Sequence, residues 1–145
     1  MMKKLFSLLL ITVSASSFAA DFSGKYRCDA YDAHDGKYQA EMTLKLNKAY
    51  SKMDRGYASY DFSLASEGYP YSFNGLAAAS GSNLAIYFES IGAKRDPSDK
   101  GVVIGTIITD QDGQGKEVVS MHTFYYEKAY KGKGNYGFEN CVLEK

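Results

Sequence analysis

From residue 37 to residue 46, apolar and polar side chains alternate without interruption. Tyr38, Ala40, Met42, Leu44 and Leu46 fall on one side of an extended chain; Lys37, Gln39, Glu41, Thr43 and Lys45 fall on the other. A period of two marks a strand with one buried and one solvated face. Residues 57–65 repeat the pattern, with Ala58, Tyr60, Phe62 and Leu64 set against Ser59, Asp61 and Ser63. Further strand-length runs cover 22–31, 71–79, 83–89, 102–109, 118–127 and 137–143. Between many of them stand short segments rich in Gly, Asp and Ser, at 32–36, 66–70, 80–82 and 111–115. Such residues supply positive φ or a fixed bend. Pro70 and Pro97 fall in connections, where a missing N–H breaks no ladder. Residues 47–55 lack alternation and predict a short helical turn. Residues 91–100 form the longest charged loop.

Eight strands joined mostly by short loops predict antiparallel neighbours, because a parallel crossover needs about a dozen residues. A meander leaves two raw edges unless its first and last strands pair. The expected fold is therefore an eight-stranded antiparallel up-and-down β-barrel, with a two-sheet β-sandwich as the alternative. Such barrels hold packed side chains or one small ligand. The chain has two cysteines, Cys28 and Cys141, one in the first predicted strand and one in the last. A disulfide between them would tie the closing strands.

The first residues set the compartment. Lys3 and Lys4 precede an apolar run from Leu5 to Val13, and Ser17-Phe18-Ala19 supplies a small-x-small cleavage signal. This is the pattern of a secretory signal peptide over 1–19, leaving one domain over 20–145 that is secreted or periplasmic. The apolar run is too short to span a membrane, so no membrane attachment is expected after cleavage. An oxidising compartment favours the disulfide. Cleavage takes two of the 17 basic residues and none of the 17 acidic ones, which leaves the domain slightly acidic. Two distant cysteines with His34 and His122 lack metal-ligand spacing, and neither a metal nor a cofactor is expected.

Phe22-Ser23-Gly24-Lys25-Tyr26 resembles the Gly-x-Trp opening of lipocalin- and avidin-like (calycin-type) barrels, with tyrosine in place of tryptophan. The resemblance implies the barrel fold. The chain contains no tryptophan, so no tryptophan-lined biotin site follows. Tyr26-Arg27-Cys28 and Ser80-Gly81 are also similar to segments of small periplasmic lysozyme inhibitors. No functional residue is carried over from either family.

The segment from Lys131 to Cys141 is basic, glycine-rich and aromatic, like the base-stacking strand of RNA-recognition domains. Glu139 interrupts that motif, and an acidic, exported domain is poorly matched to phosphate. No nucleic-acid partner is expected; the segment reads as a loop entering the last strand, with Phe138 and Cys141 closing the domain and Lys131 and Lys133 solvated. Asp32, His34 and Asp35 read as a polar turn, and Asp112-Gly113 as a hairpin signal. No nucleophile elbow is present, and Glu89 and Glu127 cannot be placed at a working separation, so no catalytic residue is assigned. The 13 tyrosines carry the functional expectation, because tyrosine joins a flat apolar body to a polar tip. Candidate binding residues are Tyr69, Tyr71, Tyr125, Tyr126, Tyr130 and Tyr136. The expected function is a non-enzymatic binding module for a protein partner, such as an enzyme it inhibits. The alternative is a small apolar ligand inside the barrel. Segments 76–79, 84–88 and 102–108 are apolar on both faces, and Val102, Ile104 and Ile108 oppose Val103 and Ile107. Strands of that kind need a cover on each side, which predicts a homodimer through residues 76–108.

Overall fold

The computed structural model describes residues 18–144. Of the expected signal peptide, residues 1–17 lie outside them. The described chain forms eight strands: β1 Gly24–Asp32, β2 Gly36–Leu46, β3 Tyr57–Ser66, β4 Ser72–Ser80, β5 Asn83–Ile91, β6 Lys100–Gln111, β7 Glu117–Glu127 and β8 Asn135–Leu143. Each pairs antiparallel with its sequence neighbour, and β8 pairs with β1 to close the barrel. The sandwich alternative is thereby excluded. The unpatterned stretch after β2 contains a 3-10 turn at Met53–Arg55, and a second lies at Tyr130–Gly132.

Alternation decides what enters the barrel. On β2 and β3, Met42, Leu44, Ala58, Tyr60, Phe62 and Leu64 point inward, with Tyr38 half-buried beside them. Burying side chains the size of Met42, Leu44, Phe62 and Leu64 contributes about 1.5–3 kcal/mol each. On β6, Val103 and Ile107 belong to the core, while Val102, Ile104 and Ile108 face outward. Cys28 and Cys141 are directly opposite across the β1–β8 seam and form a disulfide, so the closing ladder is also covalent.

The last strand carries one correction. Phe138 does not close the domain from within. It alternates with buried Gly137 and Glu139, so it stands on the outer wall, half exposed. Gly137 is needed where it is, because a Cβ there would collide with the Tyr125 ring lying across β8 from the inside. Gly134, at φ +76, makes the bend into the strand. The glycines of the basic, aromatic segment are therefore barrel architecture.

The two ends of the barrel differ. At one end, segment 18–23 and the 3-10 turn at Met53–Arg55 cover the interior. Phe22 is buried, and Ala19 and Met53 pack against the core. The Ala19 N–H donates to the Met53 carbonyl at 2.9 Å. At the other end, four loops ring the interior: 33–35, 67–71, 92–99 and 128–134.

Candidate functional site at the open end

The parity that buries Cys28 also sends Ala30 and Asp32 inward along β1. The parity that buries Cys141 sends Glu139, Gly137 and Asn135 inward along β8. On β7, Met121, Thr123, Tyr125 and Glu127 follow the same rule. Three strands thus deliver carboxylates to one end of the interior, and the 92–99 loop adds buried Asp99. Glu127 and Glu89 do not meet across strands: Glu127 is inside and Glu89 is exposed on the outer face.

Each carboxylate has a defined set of donors. Asp32 Oδ1 accepts the His34 and Asp35 backbone N–H groups at 2.7 and 2.9 Å, which fixes the β1–β2 turn. Its Oδ2 accepts the Tyr125 hydroxyl and the Asn135 amide, both at 2.6 Å. Burial alone would raise the Asp32 pKa, but these four donors outweigh it and hold the carboxyl below its ordinary value. Glu139 lies deeper and accepts from the Tyr38 hydroxyl at 3.1 Å and the Thr123 hydroxyl at 2.9 Å. Two neutral donors do not compensate its burial, which pushes its pKa upward. Glu127 accepts from Asn135 Nδ2 at 2.8 Å and lies against the Asp99 carboxyl. Burial first, and the Asp99 carboxyl second, raise its pKa to about 9. Asp99 itself accepts from the Tyr71 hydroxyl at 2.8 Å.

The six candidate tyrosines divide into two sets. Tyr69, Tyr71, Tyr125 and Tyr130 converge on the open end, where Tyr69 and Tyr130 donate to Asp35 at 2.9 and 3.3 Å. Burial raises the pKa of all four, so their hydroxyls remain donors. Tyr69, Tyr71, Phe73, Phe88 and Tyr125 make successive edge-to-face contacts, with centroids 5.6–6.2 Å apart, leading from the rim inward. Between the aromatic walls and the acids lies a cavity of about 60 Å³. Tyr126 and Tyr136 instead face outward from β7 and β8, about half exposed.

That outer wall has its own organisation. Leu76, Tyr87, Val102, Tyr126 and Tyr136 are successive cross-strand partners from β4 to β8. One pleat away, Ala85, Ile104, Phe124, Phe138 and Tyr31 form a second row from β5 to β1. The Phe124 and Phe138 centroids are 5.4 Å apart, and both rings contact Tyr136. The outer face of β2, by contrast, carries Lys37, Gln39, Glu41 and Lys45, with Lys25 of β1 paired to Glu41 at 2.9 Å.

Among the described residues, no three His, Cys, Asp or Glu side chains come together as a metal-binding group, and no helix is long and apolar enough to cross a membrane. Sequence reasoning placed Asp32 in a turn and left Asp99, Asn135 and Glu139 without a role. Carrying the cysteine parity along β1 and β8 would have found Asp32, Asn135 and Glu139; Asp99 sits in an irregular loop with no such signal. The architecture is compatible with a calycin-type barrel. The chain matches no family model, no curated protein and no solved structure.

Proposed function

We propose that the protein is a secreted or periplasmic, non-enzymatic binding module that docks a protein partner through the outer wall of β6, β7, β8 and β1. The observation that carries this reading is the pair of in-register apolar rows, with Phe124, Tyr136 and Phe138 in mutual contact at their centre. Exposed aromatic residues are enriched at protein interfaces. Contiguous apolar surface on a soluble domain marks a docking face. The rows extend over most of the barrel's circumference on a convex wall. Two convex walls touch along a narrow strip, so a concave partner, such as an enzyme holding the barrel in its cleft, covers more of this surface. An apolar ligand inside the barrel is less well supported, because about 60 Å³ is well below the roughly 300 Å³ at which small-molecule pockets begin.

A homodimer through residues 76–108 is the second reading, favoured by Leu76, Val102 and Ile104, each more than half exposed. One experiment separates the two. Phe124→Ser with Phe138→Ser is compared with Leu76→Ser with Ile104→Ser, in capture from an extract of exported proteins and in light scattering. The hetero-partner reading expects a captured protein that the first variant loses while its near-ultraviolet circular dichroism stays native. A dimer mass abolished by the second variant would replace it with the homodimer. A monomer whose captures are the same for wild type and both variants would remove the outer wall from function.

A further inference from the structure

A groove of about 790 Å³ crosses the outside of the barrel over β8, β1 and β2. Strand register explains what lines it. Phe138 and Tyr31 are cross-strand partners, each about half exposed. One pleat away, Asn140 is opposite Asp29, and Asp29 is opposite Gln39. The groove thus has an aromatic line and a parallel line of short polar side chains, roughly 7 Å apart along the strands. The 67–71 loop adds Tyr69 and Glu67 to its lining. The polar line is oriented in advance: Gln39 Nε2 donates to Asp29 Oδ1 at 3.0 Å. Among the described residues, no other hydrogen bond or ion pair engages the Asp29 side chain, and none engages the Asn140 amide. Amide donors and carboxylate acceptors therefore stand side by side next to two exposed rings. Charge in the groove is mixed. Asp29, Asp35 and Glu67 line it together with Lys37, and Asp35 already receives Lys131 at 3.5 Å. Lys94, Arg95, Lys128 and Lys133 stand on neighbouring loops and do not line it. The carboxylates repel phosphate and acidic sugars, and because all three are solvated, none requires a cation.

We propose that this groove binds a neutral oligosaccharide. A hydroxyl donates and accepts at once, so neighbouring sugar hydroxyls pair with both the Asn140 amide and the Asp29 carboxylate. A cation or an anion would match only one of the two. The apolar C–H face of a sugar ring covers a flat aromatic side chain, here Tyr31 or Phe138. Asn140, Asp29 and Gln39 span two steps between strands, roughly 10 Å, which accommodates two sugar rings in succession. The volume also falls within the range of small-molecule sites, about 300–1,000 Å³. Tyr31 and Phe138 belong to one apolar row of the docking wall as well, but Asn140, Asp29 and Gln39 belong to neither row. The groove is therefore a site beyond the protein-docking surface, with its own polar half.

The same sugar chemistry can arrive as a soluble oligosaccharide or as an insoluble polymer. The test titrates the purified protein with cellotetraose, chitotetraose and maltotetraose by calorimetry, with tetragalacturonate as the acidic control, and sediments it with insoluble cellulose and chitin. Expected is saturable binding of at least one neutral sugar and none of tetragalacturonate. Tyr31→Ala should weaken binding about tenfold, and Asn140→Ala or Gln39→Ala about threefold or more. Lys45→Ala, on β2 outside the groove, should bind as wild type. Binding of a tetrasaccharide identifies a soluble ligand as sufficient; sedimentation alone identifies the polymer. Failure of natively folded wild type in both arms overturns the proposal. So does binding that Tyr31→Ala and Asn140→Ala leave unchanged, and so does tetragalacturonate binding as tightly as any neutral sugar. Because Asn140 and Gln39 lie outside the apolar rows, their variants should keep a captured protein partner, and the groove and the docking wall fail separately.

Discussion

Both ends of the barrel turn tyrosines inward, yet they use the hydroxyls in opposite ways. At the closed end, the Tyr26 hydroxyl donates to the Phe22 carbonyl at 2.7 Å, and Tyr60 accepts the Phe22 N–H at 3.1 Å. Met42, Leu44 and Met121 surround them, fully buried. Among the described residues, nothing ionisable besides the phenols is buried there, and the tyrosine hydroxyls are satisfied by backbone that the fold has already placed. At the open end, the hydroxyls of Tyr38, Tyr71 and Tyr125 are given to carboxylates. For Asp32 the hydroxyl joins three other donors that together outweigh the desolvation, whereas for Glu139 the donors offset it only in part. A residue type does not define a site; the charge of what it is bonded to does. The closed end satisfies its polar atoms within the fold, whereas the open end keeps Glu127 and Glu139 buried with their desolvation incompletely compensated.

The largest test perturbs what the two ends share. Cys28→Ser with Cys141→Ser removes a cross-link between residues 113 apart in sequence, and should cost about 4–5 kcal/mol by loop entropy in chemical denaturation. Leu44→Ala should cost about 2–5 kcal/mol as a closed-end cavity, equally at pH 5 and pH 8. If that loss varied with pH, the two ends would be coupled and the contrast would fail.

Smaller effects belong to the open end. Tyr125→Phe removes a donor to the Asp32 carboxylate and should cost about 1.5–3 kcal/mol. Its acid unfolding midpoint should move to higher pH. Asp32, with its pKa lowered in the fold, stabilises above its ordinary value and loses that contribution as pH falls. Glu127 has the opposite sign: raised to about 9, its contribution is complete below the ordinary carboxylate range and is lost as pH rises toward 9. Stability should peak in weakly acidic solution. Glu127→Gln should flatten the alkaline side in thermal melts and leave the acid side unchanged. Glu139, also raised by burial, accounts for the slope that remains. Least of all, Lys131→Ala removes an exposed pair with Asp35 and should change stability by about 0–1 kcal/mol.

Much of the barrel is legible in the sequence because strand parity is a local property. Tyr38 through Leu46 announce their faces without reference to anything else, and the cysteines show which strands close. The acid site is legible only in part. Asp32 and Glu139 obey parity, but an acidic residue at an inward position reads as a break in the pattern until its neighbours are known. Asp99 and Tyr130 reach the site from loops, where backbone conformation, not spacing, aims the side chain. The tyrosines could be identified as a group but not divided, since Tyr125 and Tyr126 differ by one position and end on opposite sides of the wall.

Closure through β8 also constrains the order of events in biosynthesis. Hairpin pairings from β1 to β8 form between chain segments that are near neighbours. The final ladder joins Gly24–Asp32 to Asn135–Leu143, so it waits for almost the whole chain. Distant pairings are slow because loop entropy is lost before contacts compensate it. Until that last ladder forms, the molecule is a curled sheet with β1 and β8 as raw edges, each a template for another copy's strand. Strand exchange between nascent molecules therefore competes with the final stitch, and oxidation of Cys28 with Cys141 makes the intramolecular outcome permanent.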